Sequence, residues 1–598
     1  MIHGLISAFI TLVMFALTPG GPLSTLKLGR FPLVFALNFA PIFIFSVLLE
    51  GLLGRIRPAI IVNAVFYMGL FVIHRTKVMY RNAPFVFSDF KLGLEGANML
   101  KQSYYPDRYA LIILGGGLLF TVLAAKFLKK PKIKFRQRLW MVLAALMAAA
   151  LLFGSVYVQD RLYYSLPVAG NPYNILSHFN SKGFNYTFLY RIKDVFVKAP
   201  QDYDREEIQK YDEEDRSQEL ATLRNREKPN IIWIMGEAFT DLSQNSAFSF
   251  EPGFDPNENF KRLQGTSILS GRIVTPSFGG GTGDTEFDVL TGTLTTDVSI
   301  NGYESFNAIK REIDSLPRFL DDIGYQTRAF HPGYEWFYRR NEVYGKMGFQ
   351  EMYFLEDIEN PEIRGEYVSE KQFTDLLIER FEADLEKSEA PLFDYAVDIQ
   401  NHGPYTYDKY QESYPYHSKY KLSHDAANMF GSYFMGVKDI DRMLGRVYEM
   451  MMSKREPIVL VFYGDHLPSL GSEPSAYEEI KKELSWEDLE GEIEYYSTPF
   501  MVLANESGRA YLQRENTELN HGAVISSNYL ASTVLDLLGY TQGDPFFGYN
   551  SELRKKLPVI SRHFIYDGKD AYHRTEGDTE SPEIYHHYRK YEYYRIND

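Results

Sequence analysis

The first 160 residues contain five long runs without any Asp, Glu, Lys or Arg, and these runs limit the possible folds more than any other feature of the chain. The runs are Met1–Leu26, Phe31–Leu49, Pro58–Ile73, Tyr109–Ala125 and Leu139–Gln159. Each is close to the ~17–25 residues with which a helix crosses a ~30 Å hydrocarbon layer. One such run could be a buried core helix, and a cleaved signal peptide could explain the first, but neither explains five. We therefore expect a five-helix transmembrane domain over residues 1–159.

The basic residues between these runs set the expected orientation. The most basic loop, Lys126–Arg138, and the short loop Gly54–Arg57 should stay in the cytoplasm. Five crossings then place everything after Gln159 outside the cell, with Lys27 and Arg30 in an external loop as a mild departure from the rule. The expected location is the cell membrane, with several crossings and an extracellular C-terminal part.

The rest of the chain has the composition of a soluble protein. Residues 160–228 are highly charged and predict a helical linker. Over residues 229–550, apolar runs rich in β-branched and aromatic residues alternate with helical patterns such as Glu370–Lys387 and Ala426–Met452. This order predicts an α/β domain with a largely parallel central sheet. Residues 551–598 are rich in Tyr and charge and are expected to form a C-terminal tail that packs on the surface or frays.

Two features of the composition exclude whole classes of function. The chain has no cysteine, so neither disulfides nor thiolate chemistry can contribute to an exported domain. Its formal net charge of −15 argues against a nucleic-acid partner, which would require a basic surface.

Two apolar runs of the α/β region end in polar side chains. The run "NIIWIM" leads to Glu237, and the run "IVLVFYG" leads to Asp465 and His466. Because the carboxyl ends of parallel strands line one edge of a sheet, these three residues could converge. Two carboxylates and an imidazole could hold Mn²⁺, Mg²⁺ or Zn²⁺. A strand-end glutamate taken alone is more often a helix cap or a surface charge.

The stretch "PSFGGGTGDTEF", Pro276–Phe287, places one hydroxyl, that of Thr282, among several glycines. Glycines permit positive φ, so the segment can present amide hydrogens to an anion, and the helix expected after it favours negative charge at its N-terminus. A hydroxyl there, close to a metal, can lose its proton and attack phosphorus. The alternative is a flexible glycine loop with an incidental threonine.

Five ordered stretches resemble the lipoteichoic acid synthase family: "MGEAF", "FGGGTGDTEF", "RAFHPGYEWFYRRNEVY", "DIQNHGPY" and "FYGDHLP". With the apolar runs, the resemblance covers nearly the whole chain. It implies five membrane helices and an extracellular sulfatase-like domain of the alkaline phosphatase superfamily. It also implies one Mn²⁺ or Mg²⁺ bound by Glu237, Thr282, Asp465 and His466, with Thr282 as the nucleophile.

The same resemblance implies substrate-binding roles for a second group of residues. His402 would contact the phosphoglycerol or assist proton transfer. Arg340 would hold phosphate oxygens, with Arg339 as the alternative register. Tyr338 stands where the family has a tryptophan against the glycerol, and His331 lies in the same loop and could reach the site or simply pack.

Two further positions bear on this comparison. The family has an aspartate contacting the substrate where this chain has Gly333. His521, in "LNHGAV", resembles the second-metal histidine of two-metal relatives, whereas a one-metal site is expected here.

The implied reaction is phosphoglycerol transfer. Thr282 would attack phosphatidylglycerol, release diacylglycerol, and pass the glycerol phosphate to a glycerol-phosphate chain or a glycolipid. Polymerisation, priming and the modification of another glycan all remain open at this stage.

Other functions are kept as alternatives. A phosphoethanolamine transferase or another sulfatase-like hydrolase would use the same fold, although an arylsulfatase is disfavoured because Thr282 lacks the Cys or Ser setting of a formylglycine. An inactive membrane-anchored scaffold or receptor is the non-enzyme alternative.

Overall fold

The computed structural model describes residues 2–18, 21, 31–81, 84–92, 108–128, 133–168, 175–192, 199–212, 217–298, 304–471, 476–482, 484–485, 487–512, 519–574 and 581–598. The chain divides into two compact units, Met1–Phe196 and Val197–Asp598.

The first unit is helical, and its long helices coincide with the five apolar runs. Its α-helices are Ile2–Ala16, Phe31–Leu53, Ile56–Arg81, Arg108–Lys126, Phe135–Leu152, Asp160–Ser165, Ile175–Lys182 and Phe184–Tyr190, and a π-helical segment, Phe153–Tyr157, continues the fifth of these. Large apolar side chains such as Ile112 and Trp140 are exposed on this unit, which suits contact with lipid.

Three of the described helices are long and apolar enough to cross a membrane: Phe31–Leu53, Ile56–Met79 and Phe135–Tyr157. The helix Ile2–Ala16 has 15 residues, or about 22 Å at 1.5 Å per residue. The helix Arg108–Lys126 has 19 residues, which lies within the ~17–25 residues of a crossing. The apolar N-terminal helices are thus present as predicted, while the number of crossings stays a prediction.

The second unit contains fifteen described strands. They are β1 Asn230–Gly236, β2 Phe248–Ser249, β3 Leu269–Val274, β4 Gln326–Phe330, β5 Glu351–Tyr353, β6 Ile363–Arg364, β7 Tyr367–Val368, β8 Leu392–Val397, β9 His417–Ser418, β10 Ile458–Gly464, β11 Ser497–Ala504, β12 Ala523–Ser526, β13 Val559–Ile560, β14 Phe564–Tyr566 and β15 Ala571–His573.

The α-helices of this unit lie between and after the strands. They are Arg205–Asp212, Ser217–Asn225, Glu258–Gln264, Thr282–Thr291, Thr295–Val298, Leu316–Asp322, Arg340–Met347, Glu370–Leu385, His424–Ser453, Ala476–Glu479, Leu489–Tyr496, Glu506–Arg509, Tyr529–Leu538, Pro545–Lys556 and Glu583–Asn597.

Eight strands form one sheet in the order β12-β3-β11-β10-β1-β8-β4-β5. Strand β11 runs antiparallel to both of its neighbours, and the other strand pairs of this sheet are parallel. The largely parallel sheet predicted from the sequence is therefore confirmed. Strands β1 and β10 are buried along their whole length, which explains their continuous apolar runs.

The sheet separates two hydrophobic cores. Along β1, Ile231, Trp233 and Met235 belong to one core, and Ile232 and Ile234 belong to the other. This alternation follows from the two-residue period of a strand, whose successive side chains point to opposite faces.

The C-terminal segment contributes to a core instead of lying on the surface as expected. On the helix Glu583–Asn597, Tyr588 and Tyr591 are fully buried in the same core as Trp233. The guanidinium of Arg595 lies among acidic groups such as Asp544, 3.5 Å away. Tyr585, Tyr588 and Tyr591 therefore form one buried stripe of this helix.

Candidate active site at the carboxyl edge of the sheet

Strand register brings Glu237 and Asp465 side by side. Strands β1 and β10 are parallel neighbours, and Gly236 pairs with Gly464 at their ends. The following residues are Glu237 and Asp465, so two positions 228 apart in sequence become adjacent. The Oδ1 atom of Asp465 accepts a hydrogen bond from the amide of Ala238 at 2.7 Å, which fixes the carboxylate against the other strand end.

Glu237, Asp465 and His466 form a group that could hold a metal ion. One potential ligand atom of each lies within 4.8 Å of the others, and no other group of three or more such residues occurs in the described part of the chain. The Nε2 atom of His466 is 3.2 Å from Oδ2 of Asp465 and 3.7 Å from Oε1 of Glu237.

The contact made by Nδ1 of His466 indicates which of its two ring nitrogens carries the hydrogen. Its Nδ1 lies 3.0 Å from the carbonyl oxygen of Leu467, to which it can donate a proton. That leaves the lone pair of Nε2 directed at the carboxylates, as in metal-ligating histidines. Oδ2 of Asp465 and Nε2 of His466 are buried without a hydrogen-bond partner, which is the condition expected of ligand atoms.

Burial raises the pKa of both carboxylates in this group. Desolvation raises the pKa of Glu237 well above its usual value, and the nearby charge of Asp465 raises it further. Desolvation also raises the pKa of Asp465. A bound divalent cation would favour the charged form of both carboxylates.

The glycine loop places Thr282 beside this group. Gly279, Gly280 and Gly281 have φ values of 69°, 151° and 94°, a backbone that glycine adopts far more readily than other residues. Thr282 then begins the helix Thr282–Thr291. Its hydroxyl donates to Oε2 of Glu237 at 3.3 Å.

Two contacts hold the start of this helix against the sheet edge. The hydroxyl of Thr285 donates to the carbonyl oxygen of Asp465 at 2.8 Å. The amide of Gly279 donates to the carbonyl oxygen of Leu467 at 2.9 Å. The predicted nucleophile and the predicted metal ligands are thus brought together by both the backbone and the side chains.

Arg340 lies next to the Thr282 helix in a buried ion pair. Its Nε is 3.2 Å from Oε1 of Glu286, and its Nη1 is 3.1 Å from Nε2 of His331. Arg339, the alternative register, is half-buried and pairs with Glu342 at 2.6 Å. Arg340 is therefore the arginine held near the site, with much of its guanidinium already engaged by protein groups.

His331 supports Arg340. Its Nδ1 lies 3.0 Å from the carbonyl oxygen of Val397, so Nε2 is left to accept from Arg340. Desolvation, and then the charge of Arg340, lower the pKa of His331 well below its usual value, so the imidazole is neutral. Both ring nitrogens of His331 are therefore engaged by protein groups.

Tyr338 and Gly333 shape the same loop. Tyr338 is half-buried in the left-handed region at φ 58°, and its ring packs on the helix of Thr282, since a Cβ on Gly283 would lie 3.2 Å from Cδ1 of the ring. A Cβ on Gly333 would lie only 2.4 Å from Nε2 of His331. A side chain at position 333 would displace His331, which is a physical reason for glycine at the position where the resembled family has an aspartate.

His402 lies on the loop after β8, beside a buried lysine. Its Nδ1 is 2.8 Å from the carbonyl oxygen of Gly403 and 3.2 Å from the hydroxyl of Tyr367. The ammonium of Lys409 donates to the carbonyl oxygen of His402 at 2.5 Å. Burial lowers the pKa of His402 to about 4. Burial lowers the pKa of Lys409 to about 7, although the charge of Glu237 opposes this shift.

His521 lies outside the metal group. It is exposed, and its Nδ1 lies 3.1 Å from the hydroxyl oxygen of Ser270. The described residues therefore offer one metal group, without a second histidine of this kind.

Sequence reasoning missed three residues at the site. Asp398 accepts the amide of Glu237 at 2.7 Å, and its position after β8 follows the same strand-end rule that identified Glu237. Glu286 lies one helical turn after Thr282, so a buried carboxylate on the same side of the helix could have been predicted. Nothing in the local sequence distinguishes Lys409 from a surface lysine.

An α/β domain that gathers a buried carboxylate–histidine group and a helix-initiating threonine at one sheet edge has the organisation of a sulfatase-like enzyme of the alkaline phosphatase superfamily. The model of the Sulfatase family matches residues 229–540, and the chain belongs to this family.

Three individual proteins illustrate the similarity. A putative cyclic β-1,2-glucan modification protein of Rhizobium meliloti (strain 1021) is 24% identical over 542 residues, 87% of this chain and 80% of that protein. Lipoteichoic acid synthase 1 of Bacillus subtilis (strain 168) is 25% identical over 182 residues, 29% of this chain and 27% of the synthase. The structure of lipooligosaccharide phosphoethanolamine transferase A from Neisseria meningitidis has a TM-score of 0.51 at 13% identity and covers 89% of this chain and 95% of that one.

These comparisons confirm the fold and the superfamily that the motifs implied. An integral membrane protein shares the combination of apolar helices with a sulfatase-like domain. The similarity to this lipoteichoic acid synthase, however, spans 29% of the chain, less than the motif resemblance indicated.

Proposed function

We propose that this chain transfers phosphoglycerol from phosphatidylglycerol to a hydroxyl group of a glycan, through a covalent intermediate on Thr282. The observation that carries the proposal is the 3.3 Å hydrogen bond from Thr282 to Glu237, beside the unpaired ligand atoms of Asp465 and His466. A hydroxyl at a helix N-terminus, next to a potential metal group, is well placed to attack a phosphate ester.

In the first half-reaction, Oγ1 of Thr282 forms a bond to phosphorus, and the bond from phosphorus to the diacylglycerol oxygen breaks. The hydroxyl proton leaves along the hydrogen bond to Glu237. The departing oxygen takes up a proton from water, and the neutral imidazole of His402 is proposed to relay it, since burial lowers the pKa of His402 to about 4. The products are diacylglycerol and glycerophosphoryl-Thr282.

In the second half-reaction, a hydroxyl of the acceptor attacks the same phosphorus and Thr282 is released. The acceptor hydroxyl gives up one proton and Thr282 regains one, so the step is balanced. Arg340 is proposed to hold phosphate oxygens, with Tyr338 beside the glycerol and His331 fixing the guanidinium.

Glu237, Thr282, Asp465 and His466 would hold one divalent cation, for which we propose Mn²⁺, with Mg²⁺ as the alternative. Oxygen ligands with one imidazole suit these ions. When bound, the cation lowers the pKa of the threonine hydroxyl and withdraws charge from the phosphoryl oxygens.

A glycan is proposed as the acceptor because a relative that aligns with 87% of this chain carries the description of a cyclic β-1,2-glucan modification protein. A glycerol-phosphate chain or a glycolipid, as in lipoteichoic acid synthesis, is the alternative acceptor. The proposed activity adds one phosphoglycerol to each hydroxyl and does not build a long polymer.

The apolar helices suit a lipid donor. Removing acyl chains from a bilayer is costly at ~0.8 kcal/mol per CH₂ group, so an enzyme anchored in the membrane can act on the headgroup without extracting the lipid. We propose that the helices are embedded in the membrane and that the catalytic domain lies at the outer surface.

Phosphoethanolamine transfer is the second candidate. It is favoured by the fold shared with the phosphoethanolamine transferase of Neisseria meningitidis, which covers both the helices and the sulfatase-like domain. The two reactions differ only in the headgroup that is transferred.

The proposed function is tested by incubating the full-length protein in lipid nanodiscs with Mn²⁺ and phosphatidylglycerol labelled in its headgroup glycerol. We expect diacylglycerol release and label on the peptide that contains Thr282, and we expect Thr282→Ala to abolish both. Phosphatidylethanolamine is the parallel substrate. Faster release from it would establish the second candidate, and wild-type protein that neither binds Mn²⁺ nor releases diacylglycerol would indicate an inactive scaffold.

A further inference from the structure

A cleft with a volume of about 450 Å³, lined by both polar and apolar residues, lies in the sulfatase-like domain. The loop after β1, the middle of β3 and the start of β11 line it, together with Leu467, Lys482 and Glu494. This volume is within the ~300–1,000 Å³ typical of ligand sites. The reaction steps derived above use none of its side chains.

Two residues that line the cleft follow the metal group closely in sequence. Thr240 lies on its wall three residues after Glu237, and Leu467 lies on its wall directly after His466. The carbonyl oxygen of Leu467 also accepts the amide of Gly279 at 2.9 Å, in the loop that leads to Thr282. A ligand in this cleft would therefore lie next to the elements that position the nucleophile.

Three charged side chains of the cleft pair with one another and keep donors available. Glu494 accepts from Nη1 of Arg272 at 2.5 Å and from Nζ of Lys482 at 3.1 Å, using a different oxygen for each. Within the described residues, Nε and Nη2 of Arg272 donate no hydrogen bond. Arg272 and Glu494 are 41% and 45% exposed, so both can meet a ligand.

The loop after β1 adds further polar groups. Asp241 accepts from Nε2 of Gln244 at 2.7 Å, and the side-chain oxygen of Asn245 accepts the amide of Ala247 at 2.9 Å. Gln244 is exposed, and the side-chain amide nitrogen of Asn245 has no hydrogen bond to a described residue. Together with the ion-paired group, these residues provide alternating donors and acceptors.

We infer that this cleft binds neutral sugar residues of the glycan acceptor, an inference that rests on the proposed function. Two cationic and two anionic side chains, Arg272, Lys482, Asp241 and Glu494, balance in charge, which disfavours a strongly charged ligand. The charged and amide side chains of the lining would be left with unpaired hydrogen-bonding groups against an acyl chain. Sugar hydroxyls both donate and accept, so they match this lining.

The test measures binding of a linear β-1,2-linked glucotetraose to the full-length protein in nanodiscs by calorimetry. We expect wild-type binding and at least tenfold weaker binding for Arg272→Ala and for Gln244→Ala. Arg446→Ala is the matched control, since Arg446 is 42% exposed and also pairs with a carboxylate, that of Asp375. The control should bind like the wild type.

Diacylglycerol release without acceptor separates this inference from the proposed function. Arg272→Ala should release diacylglycerol at the wild-type rate while transferring less phosphoglycerol to the glucan. If neither the wild type nor any variant releases diacylglycerol, the proposed function fails. The binding measurement still decides whether the cleft binds a neutral glycan. The assignment of a neutral glycan would be overturned if the wild type did not bind the glucan, or if Arg272→Ala bound it equally well. Preferential binding of a polyglycerol phosphate oligomer would overturn it as well.

Discussion

Arg340 and Glu286 form a buried ion pair that links the helix of the predicted nucleophile to the loop of His331. The Nε atom of Arg340 is 3.2 Å from Oε1 of Glu286, and the two side chains are 1% and 0% exposed. Tyr344 donates its hydroxyl to the same carboxylate. Because Glu286 lies one turn after Thr282, this pair connects the helix of the predicted nucleophile to the arginine that is proposed to hold phosphate oxygens.

Replacing Glu286 should therefore destabilise the fold as well as reduce activity. In Glu286→Gln the buried guanidinium of Arg340 loses its counter-charge, and breaking a buried ion pair costs about 3–5 kcal/mol. We expect a loss of this size in the free energy of unfolding, measured by denaturant titration.

The matched control for this pair is Asp375→Asn, which breaks the exposed ion pair with Arg446, at 2.6 Å. Pairs of this type contribute about 0–1 kcal/mol. An equal loss of unfolding free energy in both variants would show that the buried Arg340 pair contributes no more to stability than the exposed pair.

Gly333→Asp should reduce activity although it restores the residue type expected from the resemblance. Its Cβ would lie 2.4 Å from Nε2 of His331, the atom that accepts from Arg340. We expect displacement of His331 and at least tenfold lower turnover of phosphatidylglycerol. Gly345→Ala is the control, because a Cβ there meets nothing within 4 Å. Higher activity in Gly333→Asp would show that an aspartate contacts the substrate at this position after all.

The sequence was sufficient to predict the residues that follow buried strands. Glu237 and Asp465 were identified because a continuous apolar run followed by an acid is distinctive, and because parallel neighbours end at the same edge. Asp398 follows the same rule and could have been found. The antiparallel direction of β11 could not be predicted from the sequence, because a strand buried on both faces has the same apolar pattern in either direction.

Side-chain contacts between residues far apart in the chain could not be predicted from the sequence. Lys409 has the local appearance of a surface lysine, and only the folded chain places its ammonium against the carbonyl oxygen of His402. The C-terminal helix carried a usable signal, since Tyr585, Tyr588 and Tyr591 recur every three residues. The surrounding charges favoured a surface interpretation, and the tertiary contacts with the core decided otherwise.

Asp288 should make stability fall as the pH rises from about 4 to about 7. It is fully buried, and desolvation raises its pKa from 3.8 to about 7. Between these values the folded state binds a proton that the unfolded state has lost, so raising the pH favours unfolding. We expect wild type to lose about 2–4 kcal/mol of unfolding free energy relative to Asp288→Asn between pH 4 and pH 7.5.

Asparagine is a suitable replacement because it keeps an acceptor for the amide of Thr295, which lies 2.7 Å from Oδ1 of Asp288. Comparison of the two proteins at each pH removes the contribution of other titrating groups. A constant difference in unfolding free energy across this range would contradict a raised pKa for Asp288.

Metal binding should stabilise the catalytic domain through Glu237, Asp465 and His466. A ligand present at 100 times its Kd stabilises the folded state by about 2.7 kcal/mol, so Mn²⁺ should raise the Tm of the wild type. Glu237→Gln removes one anionic ligand atom and should lose most of that rise at the same Mn²⁺ concentration. His521→Asn should keep all of it, since His521 is exposed and lies outside the three-residue group. A rise in Tm that survives Glu237→Gln but disappears in His521→Asn would move the metal to a different site.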